Sequence, residues 1–415
     1  MGKHMACRIC GTTLPAPFLD LGTMPLANSF LRSPEEFRGE PAYPLAVAGC
    51  PDCGLVQLTY VVPAAQLYRD YIYVSSTSDA VRQHAEALAE RLIRRYGWGS
   101  DHLIVEVASN DGTVLKAFQR RGLRVLGIEP ARNIAAIAER DGIPTVAEFF
   151  TEATARLQRD RVGDAAAIIG RHVFAHVDDV HDFLRGAAGF LAKDGVLIIE
   201  VPYLGQLLEK LEFDTIYHEH LSYLSLRPLD RLCAERGLRL VDVEPVDLHG
   251  GSVVLHICRQ DGPGRRSDLL AAMLREEEAR GFARAEVLAA FAGRVRAWKA
   301  RFEEFIAGLQ RGGADLIGYG AAAKANTLLN YCPEAARSLR LILDKSPHKQ
   351  GRYTPGTHIP VVPVERWASD PATHMVILAW NFREEVMRQM KPFADRGGRF
   401  VIPIPAPKVI ECAVC

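Results

Sequence analysis

The sequence predicts an α/β protein in three parts, a small zinc-binding module followed by two units of alternating strands and helices. Two C-x2-C pairs near the N terminus predict the module. Two later stretches, one starting at Leu103 and the other at Asp315, each run in the order strand, glycine-containing turn, helix, strand, acidic residue. That order is typical of a Rossmann-like, doubly wound sheet that binds a nucleoside.

Length and charge limit the kinds of protein that this chain can be. A chain of 415 residues is too long for one hydrophobic core, so we expect two or three domains. Lys plus Arg and Asp plus Glu number 50 each, which leaves no global field to attract nucleic acid or an anionic membrane. No apolar run reaches the roughly 18 to 20 residues of a spanning helix, and we find no signal peptide before the first cysteine pair. We therefore expect a soluble cytoplasmic protein with no nucleic-acid or membrane partner.

Two cysteine knuckles form the clearest local pattern, with Cys7 and Cys10 in CRICG and Cys50 and Cys53 in CPDCG. Four thiolates in two knuckles can occupy the corners of a tetrahedron, which is the pattern of a closed structural zinc site. Four protein ligands leave no open position for a substrate, so we assign the zinc to the folding of a module over residues 6–75. A disulfide pair or a chance grouping is the alternative.

A helix is predicted from Asp79 to Tyr96, where apolar residues recur at helical spacing. Ser78 precedes it as the predicted N-cap, and the free backbone N–H groups of such a helix start can bind an anion such as a carboxylate. A plain cap without a ligand is the alternative. We expect the central domain to cover residues 76–265.

The first α/β unit contains the predicted cofactor site. Strand Leu103–Val107 is followed by the turn ASNDG, a helix over Thr113–Arg121 and a second strand, Leu123–Ile128, that leads to Glu129. An acid at that position can accept hydrogen bonds from both ribose hydroxyls. The turn has one glycine rather than the three of a dinucleotide fingerprint, and S-adenosylmethionine, which has no phosphate, tolerates this. We therefore predict S-adenosylmethionine contacts at Ser78, Glu106, Ala108, Asn110, Asp111, Gly112 and Glu129.

Farther along, the stretch Asp214–Ser225, DTIYHEHLSYLS, concentrates side chains that can exchange protons. A histidine beside a carboxylate can act as a general base near neutral pH, and a tyrosine can stabilise a developing oxyanion. If the segment is extended, its side chains alternate, so that Tyr217 and Glu219 share one face. The alternative is that these are ordinary half-buried core residues. His249, in the turn HGGS, fits either an active-site wall or a structural turn.

Residues 266–312 form a charged, alanine-rich stretch that predicts one or two helices between two domains. The C-terminal domain, residues 313–410, repeats the first unit, with a strand over Asp315–Tyr319, a glycine loop, a helix over Ala325–Asn330 and a strand that ends before Asp344. A lysine within the loop adds a point charge for a phosphate. We predict that a nucleotide diphosphate binds here, with substrate contacts at His249, Gly318, Gly320, Lys324, Asn326 and Asp344.

Taken in order, these motifs resemble those of one family. The cysteine pairs, EVASNDGT, FAHV at Phe174–Val177, YHEHLSYLS and GYGAAAKANT are similar to the motifs of the sugar C-methyltransferases of antibiotic and surface-glycan deoxysugar pathways, over residues 6 to about 410. The resemblance implies an N-terminal zinc module, a central S-adenosylmethionine domain and a C-terminal Rossmann-like domain that helps to hold a nucleotide sugar. The implied substrate is a dTDP-4-keto-6-deoxyhexose that is methylated at C3.

The resemblance also implies roles for individual residues. His220 would be the base that removes the C3 proton, and four further side chains would surround the reacting centre, namely Tyr71, His176, Tyr217 and Glu219. A carbon next to a ketone gives up its proton only if the enolate oxygen is stabilised, so a base must work together with hydrogen-bond donors. His172, in GRHVFAH, departs from the asparagine expected at that position.

Two other functions are consistent with part of the sequence. The second glycine loop could belong to an NAD-dependent nucleotide-sugar oxidoreductase, although GYGAAAKA lacks the third glycine and has Lys324 where a dinucleotide helix packs closely. A non-catalytic zinc-module binding protein is the other alternative. The proton-exchanging cluster argues against it, because a scaffold does not need one.

Overall fold

The structure is a computed structural model that describes residues 2–3, 5–68, 74–77, 79–246 and 251–410. Three residues with predicted roles, Tyr71, Ser78 and His249, lie outside the described residues. Within the described part of the chain, no helix is both long enough and apolar enough to cross a membrane.

The N-terminal module is a set of short antiparallel strands that carries the cysteine knuckles. Its elements are β1 (Gly2–Lys3), β2 (Leu19–Pro25), a 3-10 turn (Pro34–Phe37), β3 (Ala42–Gly49), β4 (Val56–Leu58), β5 (Tyr60–Val61) and α1 (Ala64–Tyr68). β3 pairs with β2 and β4, and β4 pairs on its other edge with residues 222–223. The module therefore shares a sheet with the stretch that contains the motif YHEH.

The central domain is a seven-stranded sheet. In chain order its elements are α2 (Asp79–Tyr96), β6 (Leu103–Val107), α3 (Thr113–Gln119), β7 (Arg124–Ile128), α4 (Arg132–Arg140), β8 (Thr145–Val146), α5 (Glu152–Val162), β9 (Ala165–Arg171), α6 (Val180–Phe190), β10 (Leu191–Pro202), α7 (Leu204–Lys210), β11 (Ser222–Tyr223), α8 (Leu226–Glu235), β12 (Leu238–Val246) and β13 (Ser252–Arg259). The sheet order is β12-β13-β10-β9-β6-β7-β8, and β13 is antiparallel to both of its neighbours. The strand order reverses between β6 and β9, where such sheets bind their ligands.

Local sequence explains why these elements form. All five residues of β6 are buried, as expected for a parallel strand that is covered on both faces. The side chains of Thr151 and Asp179 cap α5 and α6 by accepting the backbone N–H three residues later. The predicted bounds of α2 and β6 are confirmed to the residue, because long helical periodicity and a continuous apolar run are strong signals.

Two helices, α9 (Asp268–Arg280) and α10 (Ala285–Arg311), follow the central sheet, in agreement with the prediction for this stretch. Gly281, with a φ of 59°, ends α9 in the left-handed conformation that glycine adopts without strain. α10 does not only connect the two domains but also contributes to the hydrophobic core, because its Trp298 is completely buried. The indole N–H of Trp298 donates to the carbonyl of Pro403 at 2.9 Å, and its ring stacks on Phe302.

The C-terminal domain repeats the doubly wound arrangement. Its elements are β14 (Leu316–Tyr319), α11 (Ala323–Tyr331), α12 (Pro333–Arg337), β15 (Leu339–Asp344), β16 (Val361–Pro363), β17 (His374–Ile377), α13 (Arg383–Gln389), α14 (Lys391–Asp395), β18 (Arg399–Ile402) and β19 (Lys408–Ile410). The sheet order is β16-β15-β14-β17-β18-β19, and all pairs are parallel except the last. The predicted fold class, a zinc module with two Rossmann-like domains, is confirmed.

One short segment connects the carboxyl edges of the two large sheets. Just beyond β17, the indole N–H of Trp380 donates to Asp214 Oδ2 at 2.6 Å. Lys324, in the first turn of α11, has its Nζ 5.2 Å from the centroid of the same Trp380 ring. His220, six residues after Asp214, lines a cavity at the edge of the central sheet. The segment from Asp214 to His220 therefore lies between the switch points of the two sheets.

Candidate active site

A cavity of about 440 Å³ lies at the carboxyl edge of the central sheet, beside β6, β7 and β9. Its wall includes the turn after β6 and the residues that follow β7 and β9. Other parts of the chain also contribute to the wall, among them Tyr68 of the N-terminal module, Tyr217 and His220 of the YHEH stretch, and Lys324 of the C-terminal domain. All three parts of the chain thus contribute side chains to one cavity.

The turn after β6 follows an unusual backbone path and is held by Glu129. The φ angles of Ala108, Asn110 and Gly112 are 52°, 51° and 74°. Glu129, at the end of β7, accepts the N–H of Asn110 at 2.9 Å and that of Ala131 at 2.8 Å, one on each carboxylate oxygen. Each oxygen keeps a further lone pair for a ligand hydroxyl. Burial raises the pKa of Glu129.

Glu106 is a second buried acid on the cavity wall. It is 4% exposed, and its Oε2 has no hydrogen-bond partner in the part of the chain that the structure describes. Burial raises the pKa of Glu106 to about 8. S-adenosylmethionine carries a sulfonium and an ammonium charge, and a buried carboxyl that lacks a partner gains most from a cationic ligand. The acids on this wall therefore fit the predicted methyl donor.

Four of the residues predicted to contact the cofactor line the cavity, namely Glu106, Ala108, Asn110 and Glu129. Asp111 is fully buried behind the turn, where it accepts the N–H of Ser76 at 3.0 Å and the hydroxyl of Thr113 at 2.6 Å. At Gly112, an added Cβ would lie 2.9 Å from Ile143. Asp111 and Gly112 thus shape the turn and do not line the cavity.

The Tyr217–His220 pair forms the other end of the cavity. His220 Nδ1 lies 2.8 Å from the carbonyl oxygen of Thr215, and a carbonyl can only accept, so Nδ1 carries the proton. His220 Nε2 lies 2.7 Å from Tyr217 Oη and therefore accepts the phenol proton. Burial, followed by the influence of His176, lowers the pKa of His220 well below 6.5, and burial raises the pKa of Tyr217 well above 10. Both side chains are neutral, with the basic lone pair on His220 Nε2.

The YHEH stretch is a turn, so the expectation of an extended segment is wrong. The N–H of His220 donates to the carbonyl of Tyr217 at 2.9 Å, which brings these side chains together at a spacing of three residues. Glu219 is not on the cavity wall, and its Oε1 accepts from Asn28 Nδ2 at 2.6 Å. Alternation therefore predicted the wrong partner for Tyr217.

His176 lies beside this pair, as the resemblance implies. Its ring meets that of His220 edge to face, with centroids 4.9 Å apart, and its Nδ1 is 2.7 Å from Tyr68 Oη. Burial, and after it the neighbouring His172, lowers the pKa of His176 to about 3. Sequence reasoning missed Tyr68, although residues 68–73, YRDYIY, form a tyrosine cluster that also contains Tyr71, which the resemblance places near the reacting centre.

Two basic residues on the cavity wall are Arg171, which sequence reasoning missed, and His172, whose role it left open. Arg171 Nε donates to Glu200 at 2.9 Å, and His172 Nε2 lies 3.2 Å from the same carboxylate. Burial alone would raise the pKa of Glu200, but the hydrogen bonds from His172 and His84 and the charge of Arg171 lower it well below its ordinary value. Arg171 and His172 both line the cavity. The histidine that departs from the family pattern is thus a partner of a buried carboxylate.

Of the residues predicted to contact the substrate in the C-terminal domain, Lys324 lines the cavity. Asp344 accepts the N–H of Ala321 at 2.7 Å, and Asn326, which is buried, donates to the carbonyl of Ala27 at 2.6 Å. An added Cβ at Gly318 or Gly320 would lie within 3.0 Å of a side-chain atom of the neighbouring strand region. These four residues build or pack the domain.

The four knuckle cysteines come together as predicted. The Sγ atoms of Cys7 and Cys53 lie 3.4 Å apart, as do those of Cys10 and Cys50, and all four are within 4.8 Å of one another. Zinc with bonds of about 2.3 Å at the centre of a tetrahedron holds its sulfurs about 3.8 Å apart. The four thiols thus fit a structural zinc ion and leave no position for a substrate.

Three family models match successive parts of the chain. Residues 7–68 match a family described as "Putative zinc binding domain", residues 81–243 a "Methyltransferase domain", and residues 247–405 a "C-methyltransferase C-terminal domain". These matches follow the predicted order of zinc module, methyltransferase domain and C-terminal domain. They favour the methyltransferase prediction over the oxidoreductase and scaffold alternatives.

A curated relative covers nearly the whole chain. The C-methyltransferase NovU of Streptomyces niveus is 37% identical over 405 residues, which is 98% of this chain and 96% of the relative. Among solved structures, magnesium protoporphyrin IX methyltransferase of Synechocystis is 12% identical over 43% of this chain and 79% of its own, with a TM-score of 0.33. The 1,6-didemethyltoxoflavin-N1-methyltransferase of Burkholderia thailandensis is 18% identical over 51% of this chain and 97% of its own, with a TM-score of 0.35. Since the relative and the three family models agree along the chain, this protein belongs to the C-methyltransferase family, with S-adenosylmethionine as methyl donor and a zinc-binding module at its N terminus.

Proposed function

We propose that this enzyme methylates C3 of a nucleotide-linked 4-keto-deoxysugar, with His220 as the general base. The observation that supports the proposal most is that the Tyr217–His220 pair lines the same cavity as the turn after β6, where we predict the methyl donor to bind. A carbon must lose a proton before it can attack a methyl group, and this requires a base next to the methyl donor. A buried, neutral histidine with its lone pair on Nε2 meets that requirement.

The pair suits a proton on the carbon next to a ketone. Tyr217 donates to His220 Nε2, so this lone pair becomes available when the phenol O–H turns to another acceptor. A ketone oxygen at C4 is such an acceptor, and the proton to be removed is on the adjacent carbon. Tyr217 would then stabilise the enolate oxygen while His220 takes the C3 proton. The electron pair of the enolate would then form the new bond from C3 to the methyl group that S-adenosylmethionine supplies, the bond from that methyl group to sulfur would break, and S-adenosylhomocysteine would leave.

Lys324 supports the assignment of a nucleotide sugar. Among the described residues of the C-terminal domain, residues 313–410, it is the one that lines the cavity, and an ammonium group there can bind a diphosphate as a point charge. The resemblance of the motifs suggests dTDP as the nucleotide. The methyl donor and the sugar would enter from the two sheet edges and meet at the segment between them.

The test is incubation with labelled S-adenosylmethionine and a panel of nucleotide 4-keto-deoxysugars, read by mass. We expect one methyl group on a 4-keto sugar and none on the same sugar after reduction to the 4-hydroxy form. With S-adenosylhomocysteine in place of the methyl donor, the C3 proton should exchange with deuterated solvent. Methyl transfer to an oxygen or nitrogen, or no transfer to any keto sugar, would overturn the proposal.

A further inference from the structure

We propose that Arg8, inside the first zinc knuckle, is a positioning residue that holds the two active-site histidines together. The inference rests on the proposed function, because it assumes that His176 and His220 act at the substrate. Arg8 is not on the cavity wall, so it would act through the backbone of the two segments that carry these histidines.

The two histidine segments are joined by one backbone hydrogen bond. The N–H of Leu221, next to His220, donates to the carbonyl of Ala175, next to His176, at 2.8 Å. The two imidazole rings lie edge to face at 4.9 Å. Whatever fixes the Leu221 peptide therefore also fixes the distance between the rings.

Arg8 contacts both segments. Its Nη1 donates to the carbonyl of Leu221 at 3.0 Å, and its Nε donates to Asp178 Oδ1 at 3.1 Å, two residues after His176. Nη1 also lies 3.4 Å from the carbonyl of Leu58, whose own N–H donates to the Leu221 carbonyl at 3.0 Å. A single guanidinium thus joins the strand β4 of the zinc module to the segments on either side of the histidine pair.

The zinc knuckle fixes the backbone from which this side chain extends. Arg8 stands between Cys7 and Cys10, and the carbonyl of Ile9 lies 2.8 Å from His181 Nε2 on α6. The side chain of Arg8 is 0% exposed, and its fork of donors reaches acceptors in several directions, which the single ammonium of lysine cannot do. Its Nη2 has no partner among the described residues. Burial of a cation with an unpaired group costs stability, so stability alone is a weak reason for this arrangement.

The experiment compares Arg8→Lys with Arg231→Lys. Arg231 also contacts a zinc knuckle, through Asp52 Oδ2 at 3.0 Å, but its side chain is 41% exposed, and its ion pairs among the described residues are with Asp52 and Glu235 rather than with a histidine segment. We expect Arg8→Lys to lower kcat and the rate of C3 proton exchange about 10- to 100-fold, the usual cost of a misplacement of about 1 Å. Zinc content, affinity for S-adenosylhomocysteine and KM should stay near wild type, and Arg231→Lys should match wild type throughout.

Each other outcome has a defined meaning. If Arg8→Lys exchanges the proton as fast as wild type, or loses activity only in proportion to lost zinc or lost folded protein, the positioning role is overturned. If that variant cannot be obtained folded, Asp178→Asn removes one of the Arg8 contacts at a half-exposed residue that also lines the cavity. We expect kcat to fall while KM, affinity for S-adenosylhomocysteine and zinc content hold. An unchanged kcat, or a rise in KM that marks a direct contact of Asp178 with the substrate, also overturns the inference. Absence of exchange in the wild type would instead contradict the proposed function.

Discussion

The two α/β units make the same acid-to-turn contact and use it differently. In the central domain Glu129 accepts the N–H of Asn110, and in the C-terminal domain Asp344 accepts the N–H of Ala321. Each acid also accepts the N–H of the residue two positions after itself. The contact that ties the first turn to the second strand is therefore common to both units.

The surroundings of the two turns are what differ. Glu129 lines the cavity, whereas the C-terminal turn packs against other parts of the chain. Lys349 Nζ donates to the carbonyl of Ala321 at 2.8 Å and lies over the ring of Phe30 from the N-terminal module. The pattern of strand, glycine turn and acid therefore identifies a way of closing a turn. Whether the turn binds a ligand depends on what covers it.

The largest expected effect tests whether the chemistry belongs to the central unit and the segment beside it. His220→Ala should lower turnover by about 10³- to 10⁴-fold, the upper part of the range for a general base, without loss of either ligand. His218 is the position for the matched control, because it belongs to the same motif but does not line the cavity. Its Nε2 lies 3.2 Å from the carbonyl oxygen of Tyr43. The measurement is C3 proton exchange with S-adenosylhomocysteine bound. Wild-type exchange in His220→Ala would point to His176 or Tyr217 as the base.

A matched pair of substitutions tests the two acids directly. If Glu129 binds the ribose as we propose, Glu129→Gln removes a charge-assisted bond of about 1.5 to 3 kcal/mol, so the affinity for S-adenosylhomocysteine should fall about 10- to 100-fold. Asp344→Asn changes the equivalent acid and should leave that affinity unchanged. Titration calorimetry of both variants provides the measurement. An equal loss in the two would mean that the comparison between the units is wrong.

Sequence predicted what depends on local pattern. The bounds of α2 and β6 and the position of Glu129 follow from periodicity and spacing, which a single segment contains. The same pattern could not separate Asn110, which lines the cavity, from Asp111, which turns inward to hold Thr113. Adjacent residues in a turn point in directions that the turn geometry decides.

Among contacts between distant segments, sequence predicted the meeting of the two cysteine knuckles, because their spacing marks metal ligands, but it did not predict the contacts that shape the active site. The turn in YHEH is fixed by neighbours on several elements, and the alternation of its side chains wrongly predicted an extended segment. Arg8 and Leu221 are 213 residues apart in sequence, and no local signal marks such a contact. The tyrosine cluster was a usable signal, but it could not say that Tyr68 would meet His176.

Lys324 allows the contribution of the C-terminal unit to be measured by itself. Lys324→Ala should raise KM for the nucleotide sugar about 10-fold, because one charged contact to a phosphate is lost, while affinity for S-adenosylhomocysteine holds. Lys345→Ala is the control, since Lys345 follows Asp344 but is exposed and pairs with Glu385. Steady-state kinetics at saturating methyl donor provide the measurement. The reverse pattern, with weaker binding of S-adenosylhomocysteine and an unchanged KM, would place the methyl donor in the C-terminal unit.

The smallest expected effect concerns an acid that the C-terminal unit lacks. Glu106 is the residue before last in β6, and the same position in β14 is Gly318. Since burial raises the pKa of Glu106 to about 8, this carboxyl is mostly protonated in the free protein at pH 6.5. A cationic ligand favours the carboxylate, so binding releases a proton, and affinity for S-adenosylmethionine should rise with pH and level off above about 8. The slope is limited to tenfold per pH unit for one proton, and we expect a rise of only a few-fold between pH 6.5 and 8.5.

Glu106→Gln provides the control for that pH dependence, because the amide has a similar shape and does not titrate in this range. Its affinity for S-adenosylmethionine should be nearly flat from pH 6.5 to 8.5. The wild-type slope should also be smaller with S-adenosylhomocysteine, which lacks the sulfonium charge but keeps the ammonium group. If wild type and Glu106→Gln show the same slope, another group releases the proton. Glu106 Oε2, which has no hydrogen-bond partner among the described residues, would then have no part in holding the methyl donor, and the central turn would differ from its C-terminal counterpart through Glu129 alone.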